Sequence, residues 1–132
     1  PEAQVLMMRL GAQAFDLIQA CAEGRLAGQR VNWADDHALT VVMAAAGYPG
    51  AYARGSQIRG LEELPEDSAH MVFHAGTAER DGRTVAAGGR VLNVTARGAT
   101  LAEARERAYR MVDRIDWPGG FCRRDIGWRA LP

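Results

Sequence analysis

Apolar side chains return every three or four positions at the start of the chain, at Leu6, Leu10, Ala14, Leu17 and Cys21, and Gly24 follows where a helix would stop. The spacing predicts one amphipathic helix over residues 2–23. Pro1 and Glu2 suit its first turn and the positive end of its dipole. The polar stretch from Gly24 to Asn32 reads as a linker. After Trp33 the period changes: Ala38 to Ala46 is apolar on both alternating faces, the pattern of a buried central strand. Gly47-Tyr48-Pro49-Gly50 ends it, because that tetrapeptide continues neither a helix nor a ladder. A long loop with room for a short strand at Gln57 to Arg59 comes next.

Further along, His70 to Thr77 reads as a second strand. Arg80-Asp81-Gly82-Arg83 then supplies the positive backbone angles of a tight hairpin turn. Thr84 to Ala87 returns, Gly88-Gly89 interrupts as a bulge, and Arg90 to Ala96 continues as a strand rich in valine and threonine. Thr100-Leu101-Ala102-Glu103 matches a capping box and opens a helix to about Ile115. Its buried stripe is Leu101, Ala104, Ala108, Met111 and Ile115, and its exposed side carries the four-residue pairs Glu103 with Arg107 and Glu106 with Arg110. These elements imply an α+β fold with a mainly antiparallel sheet and flanking helices. Residues 1–30 are assigned to whatever precedes the domain, and 31–132 to the domain itself.

Composition narrows the possibilities. A chain of 132 residues, 48% apolar and 24% charged, buries enough surface for a core without disulfides or a structural metal. No apolar run is long enough to span a membrane. Cys21 and Cys122 lack CxxC spacing and read as reduced thiols, which points to the cytoplasm. Sixteen basic residues balance sixteen acidic ones, so no surface of the kind that binds nucleic acid through excess charge is expected. Every basic residue is arginine, which removes Schiff-base, P-loop and lysine-base chemistry. Neither Ser56 nor Ser68 sits in a nucleophile elbow. The chain opens at Pro1 inside a helical pattern, as a piece of something longer would.

Five constellations could carry chemistry. His70 and His74 lie about 13 Å apart on one strand face, too far to share a metal, so each is expected to make a local hydrogen bond. His37 follows Asp35-Asp36 as a capped strand entry does. In Gly88-Gly89-Arg90, two glycines allow close backbone approach and expose N–H groups, and Arg90 adds a planar fork for phosphate or carboxylate. Alternation places Arg90 on the face of Leu92, Val94 and Ala96; the competing reading is a bulge followed by a salt bridge. The Ala45 to Gly50 segment is either a rigid turn or a pocket wall. Arg123 to Arg129 concentrates cations beside the single carboxylate of Asp125, or Asp125 forms a local ion pair with a neighbouring arginine.

Taken in order, Ala44-Ala45-Ala46-Gly47-Tyr48-Pro49-Gly50, Phe73-His74-Ala75-Gly76-Thr77, Gly88 to Ala96 and Arg124-Asp125-Ile126-Gly127-Trp128-Arg129-Ala130 resemble the C-terminal part of the phosphoribosylamine-glycine ligase family. The resemblance implies the C-terminal domain of an ATP-grasp ligase, with residues 1–30 the last helix and linker of the ATP-grasp domain. It also implies joining of glycine to 5-phosphoribosylamine with ATP in purine synthesis, with glycyl phosphate as the protected intermediate. The family's magnesium-holding glutamate and asparagine and its ATP site lie upstream of Pro1. The resemblance thus gives this chain no ATP, Mg2+ or Mn2+ site and no activity alone; its partners are the earlier domains of the same polypeptide. By analogy with related ligases, Gly88, Gly89 and Arg90 are the expected contacts at the phosphoribosyl end. Two alternatives remain: a module that binds a nucleotide or other anion without turnover, and the equivalent domain of another ATP-grasp ligase.

Overall fold

The computed structural model describes residues 1–131. Helices α1 (Glu2–Leu10) and α2 (Gln13–Ala22) lead into strand β1 (His37–Ala45). Strands β2 (His70–His74), β3 (Thr77–Arg80), β4 (Arg83–Ala86) and β5 (Arg90–Gly98) follow. Helix α3 (Leu101–Arg114), strand β6 (Gly120–Cys122) and a short 3-10 turn (Trp128–Ala130) complete the chain. The main sheet has the order β2-β5-β1-β6 with every pair antiparallel, and β3-β4 form a separate ribbon. The fold is α+β, as expected.

The single helix expected over residues 2–23 is two. Gly11, at φ 57 and ψ −141, turns the chain out of helical geometry, and its N–H caps the Met7 carbonyl. Glycine in a helix interior is costly, and it is the preferred residue just past a helix end. The linker then folds back on the break: Gln13 and Asn32 exchange two hydrogen bonds of 2.8 Å, and Arg9 grips the Ala34 carbonyl while lying over the Trp33 ring.

Leu39, Val41, Met43 and Ala45 of β1 join Leu92, Val94 and Ala96 of β5 on one face of the sheet, where Ala104, Ala108, Met111 and Val112 of α3 cover them. The capping box forms with one change. Thr100 Oγ1 accepts from the Glu103 N–H, while the Glu103 carboxylate accepts from Ala99 rather than from Thr100. Both predicted helix-face pairs, Glu103 with Arg107 and Glu106 with Arg110, are present. Helix α1 packs against β1 and β5 on the opposite face.

The predicted strand from His70 to Thr77 is divided: Ala75 and Gly76 both donate to the Val91 carbonyl, and the chain leaves the main sheet to begin the ribbon. The ribbon's turn is as read, with Asp81 at φ 51 and Gly82 at φ 70. At Gln57 and Arg59 there are isolated bridges, to Val85 and Asp116, in place of a strand. No helix among the described residues is long and apolar enough to cross a membrane.

Asp36, read as a capping residue, instead forms a two-bonded pair with Arg97 at 2.7 and 2.8 Å, about three-quarters buried. Hydrogen bonding to Arg97 holds the Asp36 carboxyl below its ordinary range. A depressed carboxyl stabilises the fold above its unfolded pKa, near 3.9, and loses that contribution as pH falls through the lower folded value. Asp36→Ala is therefore expected to cost about 1.5–3 kcal/mol at neutral pH. In urea melts the gap to the parent chain should close below about pH 4. A gap independent of pH would show that the pair's charge contributes nothing.

Candidate functional site

A bulge sets the position of Arg90. Met43 lies opposite Leu92, but its neighbour Ala44 lies opposite Arg90, so Val91 is an extra residue in β5. One extra residue reverses which face the following side chains occupy. The alternation expected from the sequence, with Arg90 beside Leu92, Val94 and Ala96, is thus overturned: Arg90 emerges on the other face, with Thr40, Val42 and Ala44.

On that face is a cleft of about 430 Å3, whose floor is Val42 and Ala44 and whose walls include Pro1, Tyr48, Pro49, Phe121 and Ile126. No carboxylate lines it; Arg90 and Arg123 are its two charged residues. Arg90 is exposed and makes no ion pair or side-chain hydrogen bond among the described residues, so the salt bridge weighed as the alternative is not formed. The Gly47 to Gly50 segment serves both readings at once. It is a tight turn, with a cis Tyr48-Pro49 bond, and it is a wall of the cleft.

The two glycines before Arg90 have separate packing reasons. The Gly88 Cα lies against Gly76, where an added Cβ would come within 3.2 Å of the Gly76 Cα. The Gly88 N–H is bonded to the Gly76 carbonyl at 2.9 Å, so it is committed inside the fold rather than offered to an anion. A Cβ on Gly89 would fall 2.3 Å from the Tyr48 ring and 3.1 Å from Tyr52. Gly89 thereby lets Tyr48 close down beside Arg90, and Tyr52 braces Tyr48 edge-on at 6.2 Å.

The far wall comes from β6, a three-residue strand that periodicity alone does not reveal. Ala44 is flanked by Arg90 on one side and Phe121 on the other, and Phe121 stays 46% exposed. Beyond it, Arg123 Nε and Nη2 both donate to Asp125, at 2.9 and 2.7 Å, which is the local pair weighed from the sequence. That pairing holds the Asp125 carboxyl below its usual range. Burial pushes the Cys122 thiol up, so it offers no thiolate at neutral pH.

The remaining candidates lie elsewhere. His70 Nδ1 meets Asp67 at 3.0 Å and His74 Nδ1 meets Thr77 at 2.8 Å, both local contacts as expected. His37 opens β1 in an exposed position. Among the described residues no three His, Cys, Asp or Glu side chains converge to fit a metal ion. Phe121 was not selected from the sequence, and Arg123 was weighed there only as a local ion pair or part of a cation cluster, not as a wall of this cleft. The one signal for Phe121 was the Gly119-Gly120 pair, which admits β6 against the Trp117 ring.

Residues 38–129, which hold nearly all of this cleft, match the family model described as phosphoribosylglycinamide synthetase, C domain. The phosphoribosylamine–glycine ligase of Mesorhizobium japonicum is 58% identical over 131 residues, covering 99% of this chain and 31% of that protein. The chloroplastic phosphoribosylamine–glycine ligase of Arabidopsis thaliana is 54% identical, covering 99% and 25%. The crystal structure of phosphoribosylamine–glycine ligase from Thermotoga maritima aligns with a TM-score of 0.76 at 38% identity, over 95% of this chain and 30% of that one. The chain thus spans under a third of the length of these relatives.

Proposed function

Since the chain belongs to the phosphoribosylglycinamide synthetase C-domain family, we propose that it forms one wall of the substrate site in a cytoplasmic ligase joining glycine to 5-phosphoribosylamine. ATP phosphorylates the glycine carboxylate, and the amine of phosphoribosylamine displaces phosphate to give glycinamide ribonucleotide. The nucleotide and its Mg2+ or Mn2+ are held by earlier parts of the ligase. This chain's part is positioning: Arg90 binds the phosphoribosyl end, Gly88 and Gly89 fix the backbone that presents it, and the apolar walls exclude water from the acyl phosphate.

The observation that carries this reading is Arg90 itself, an exposed guanidinium at the mouth of an apolar cleft that no carboxylate lines, and in no ion pair among the described residues. Such a fork binds a phosphate through two charge-assisted hydrogen bonds. The apolar surface of the first segment supports its assignment to the preceding ATP-grasp domain. Of the nine large hydrophobic side chains exposed among the described residues, seven lie between Leu6 and Trp33. So dense a patch needs a covering.

Arg90→Ala in the complete ligase should raise the KM for phosphoribosylamine about tenfold or more and leave the KM for ATP as it was. Steady-state kinetics with each substrate varied separately decide it. An unchanged phosphoribosylamine dependence would overturn the assignment.

A further inference from the structure

The turn after β6 is held far more firmly than an exposed connection requires. Arg105 donates to the carbonyls of Ile126 and Arg124, at 3.0 and 2.9 Å. The Tyr109 hydroxyl donates to the Arg123 carbonyl at 2.7 Å and accepts from the Ile126 N–H at 3.1 Å. Arg124 is paired with Asp113. Gly127 closes the turn at φ +81, where an added Cβ would lie 2.8 Å from Leu39 Cδ1. Two side chains of α3 therefore fix the backbone on both sides of Asp125, and Asp125 fixes Arg123 from the Nε side. What stays uncommitted on Arg123 is Nη1.

Arg123 and Arg90 line the same cleft. Ala44 is paired with Arg90 on one side and with Phe121 on the other, and Arg123 lies two residues beyond Phe121. Two strand spacings across and two residues along put the Arg90 and Arg123 Cα atoms roughly 12 Å apart. Two arginine side chains reaching inward across that span can meet one anion above Val42 and Ala44. An Asp-held guanidinium keeps its charge and loses rotamer freedom before the ligand arrives, which lowers the cost of binding.

We propose that Arg123 is a second phosphate-binding residue of the cleft, with Asp125 as the positioning residue that turns its free Nη1 toward Arg90. The ligand is a sugar phosphate, gripped from both sides with its ring over the small floor between Tyr48 and Phe121. This rests on the phosphoribosyl reading of the cleft given above and adds a residue to it.

The test uses the complete ligase, with phosphoribosylamine as substrate and ribose 5-phosphate as competing probe. Arg123→Ala should weaken both by about tenfold to a hundredfold, with the KM values for ATP and glycine held. Asp125→Asn should shift them the same way by less, because the guanidinium remains but is no longer held. Arg123→Lys should recover little, since an ammonium cannot lie side-on to Asp125. Thermal melting of each variant shows that the fold survives, and Arg123→Gln serves if the alanine variant melts early. If Arg90→Ala is impaired and the Arg123 variants match the parent, the second cation is refuted and the cleft's assignment stands. If neither position matters, both readings fall.

Discussion

Trp117→Ala will destabilise the domain by about 3–5 kcal/mol, the range for deleting a buried large aromatic. The ring is 5% exposed and belongs to the main core. Its Nε1 donates to Ser56 Oγ at 2.9 Å, tying the long loop to the end of α3. Gly120 lies directly on it: a Cβ there would sit 2.1 Å from the indole. Removing the ring leaves a cavity under β6 and strands the Ser56 hydroxyl. Ser56→Ala removes only the hydrogen bond and should cost about 1 kcal/mol. Urea unfolding followed by tryptophan fluorescence and far-UV circular dichroism separates the two. A loss under about 1 kcal/mol for Trp117→Ala would mean that β6 is supported from elsewhere. Because β6 carries Phe121 and leads directly into Arg123, the variant should also lose the far wall of the cleft.

Gly47→Ala should be nearly as damaging, at about 2–4 kcal/mol, for a different reason. Gly47 has φ +94, a region that side chains enter only with strain, and an added Cβ would lie 2.2 Å from the Ala51 carbonyl oxygen. The obstacle is backbone, so no rotamer change relieves it. Gly82 provides the comparison: it has φ +70 but nothing within 4 Å of an added Cβ. Gly82→Ala should therefore cost only the conformational term, about 1–2 kcal/mol. Equal midpoints for the two variants in urea melts would show that the contact with Ala51 yields easily. In the complete ligase, Gly47→Ala should also impair binding at the cleft, since Tyr48 and Pro49 follow it in the same wall.

Where one local rule dominates, the sequence states the structure. Asp81-Gly82 demands positive φ at two successive positions and makes the ribbon's turn. Thr100 and Glu103 start α3, and the apolar stripe from Ala104 to Met111 packs on the sheet. Errors arose where two rules competed. Periodicity ran through Gly11 because the residues on either side of the break keep a helical spacing, although the backbone does not. Alternation placed Arg90 on the wrong face because the bulge read at Gly88-Gly89 falls instead at Val91, beyond Arg90, and only pairing with β1 exposes that position. The same limit hid Phe121, whose strand of three residues exists through contact with Ala44 and Trp117, and with it the place of Arg123 beside the cleft. Gly88 and Gly89 drew notice for good reason, but the backbone N–H of Gly88 turned out to be spent on Gly76.

The neck between ribbon and sheet has a mechanical meaning. The Gly76 carbonyl accepts from both Ala87 and Gly88, and the Val91 carbonyl accepts from both Ala75 and Gly76. Four amides thus share two oxygens across a crossing so close that a methyl on Gly76 would lie 2.5 Å from the Arg90 carbonyl. The β3-β4 ribbon is thereby tied directly to the backbone that carries Arg90. A force applied to the hairpin tip is expected to reach the arginine, and an anion bound there as proposed above would be expected to stiffen the hairpin in return.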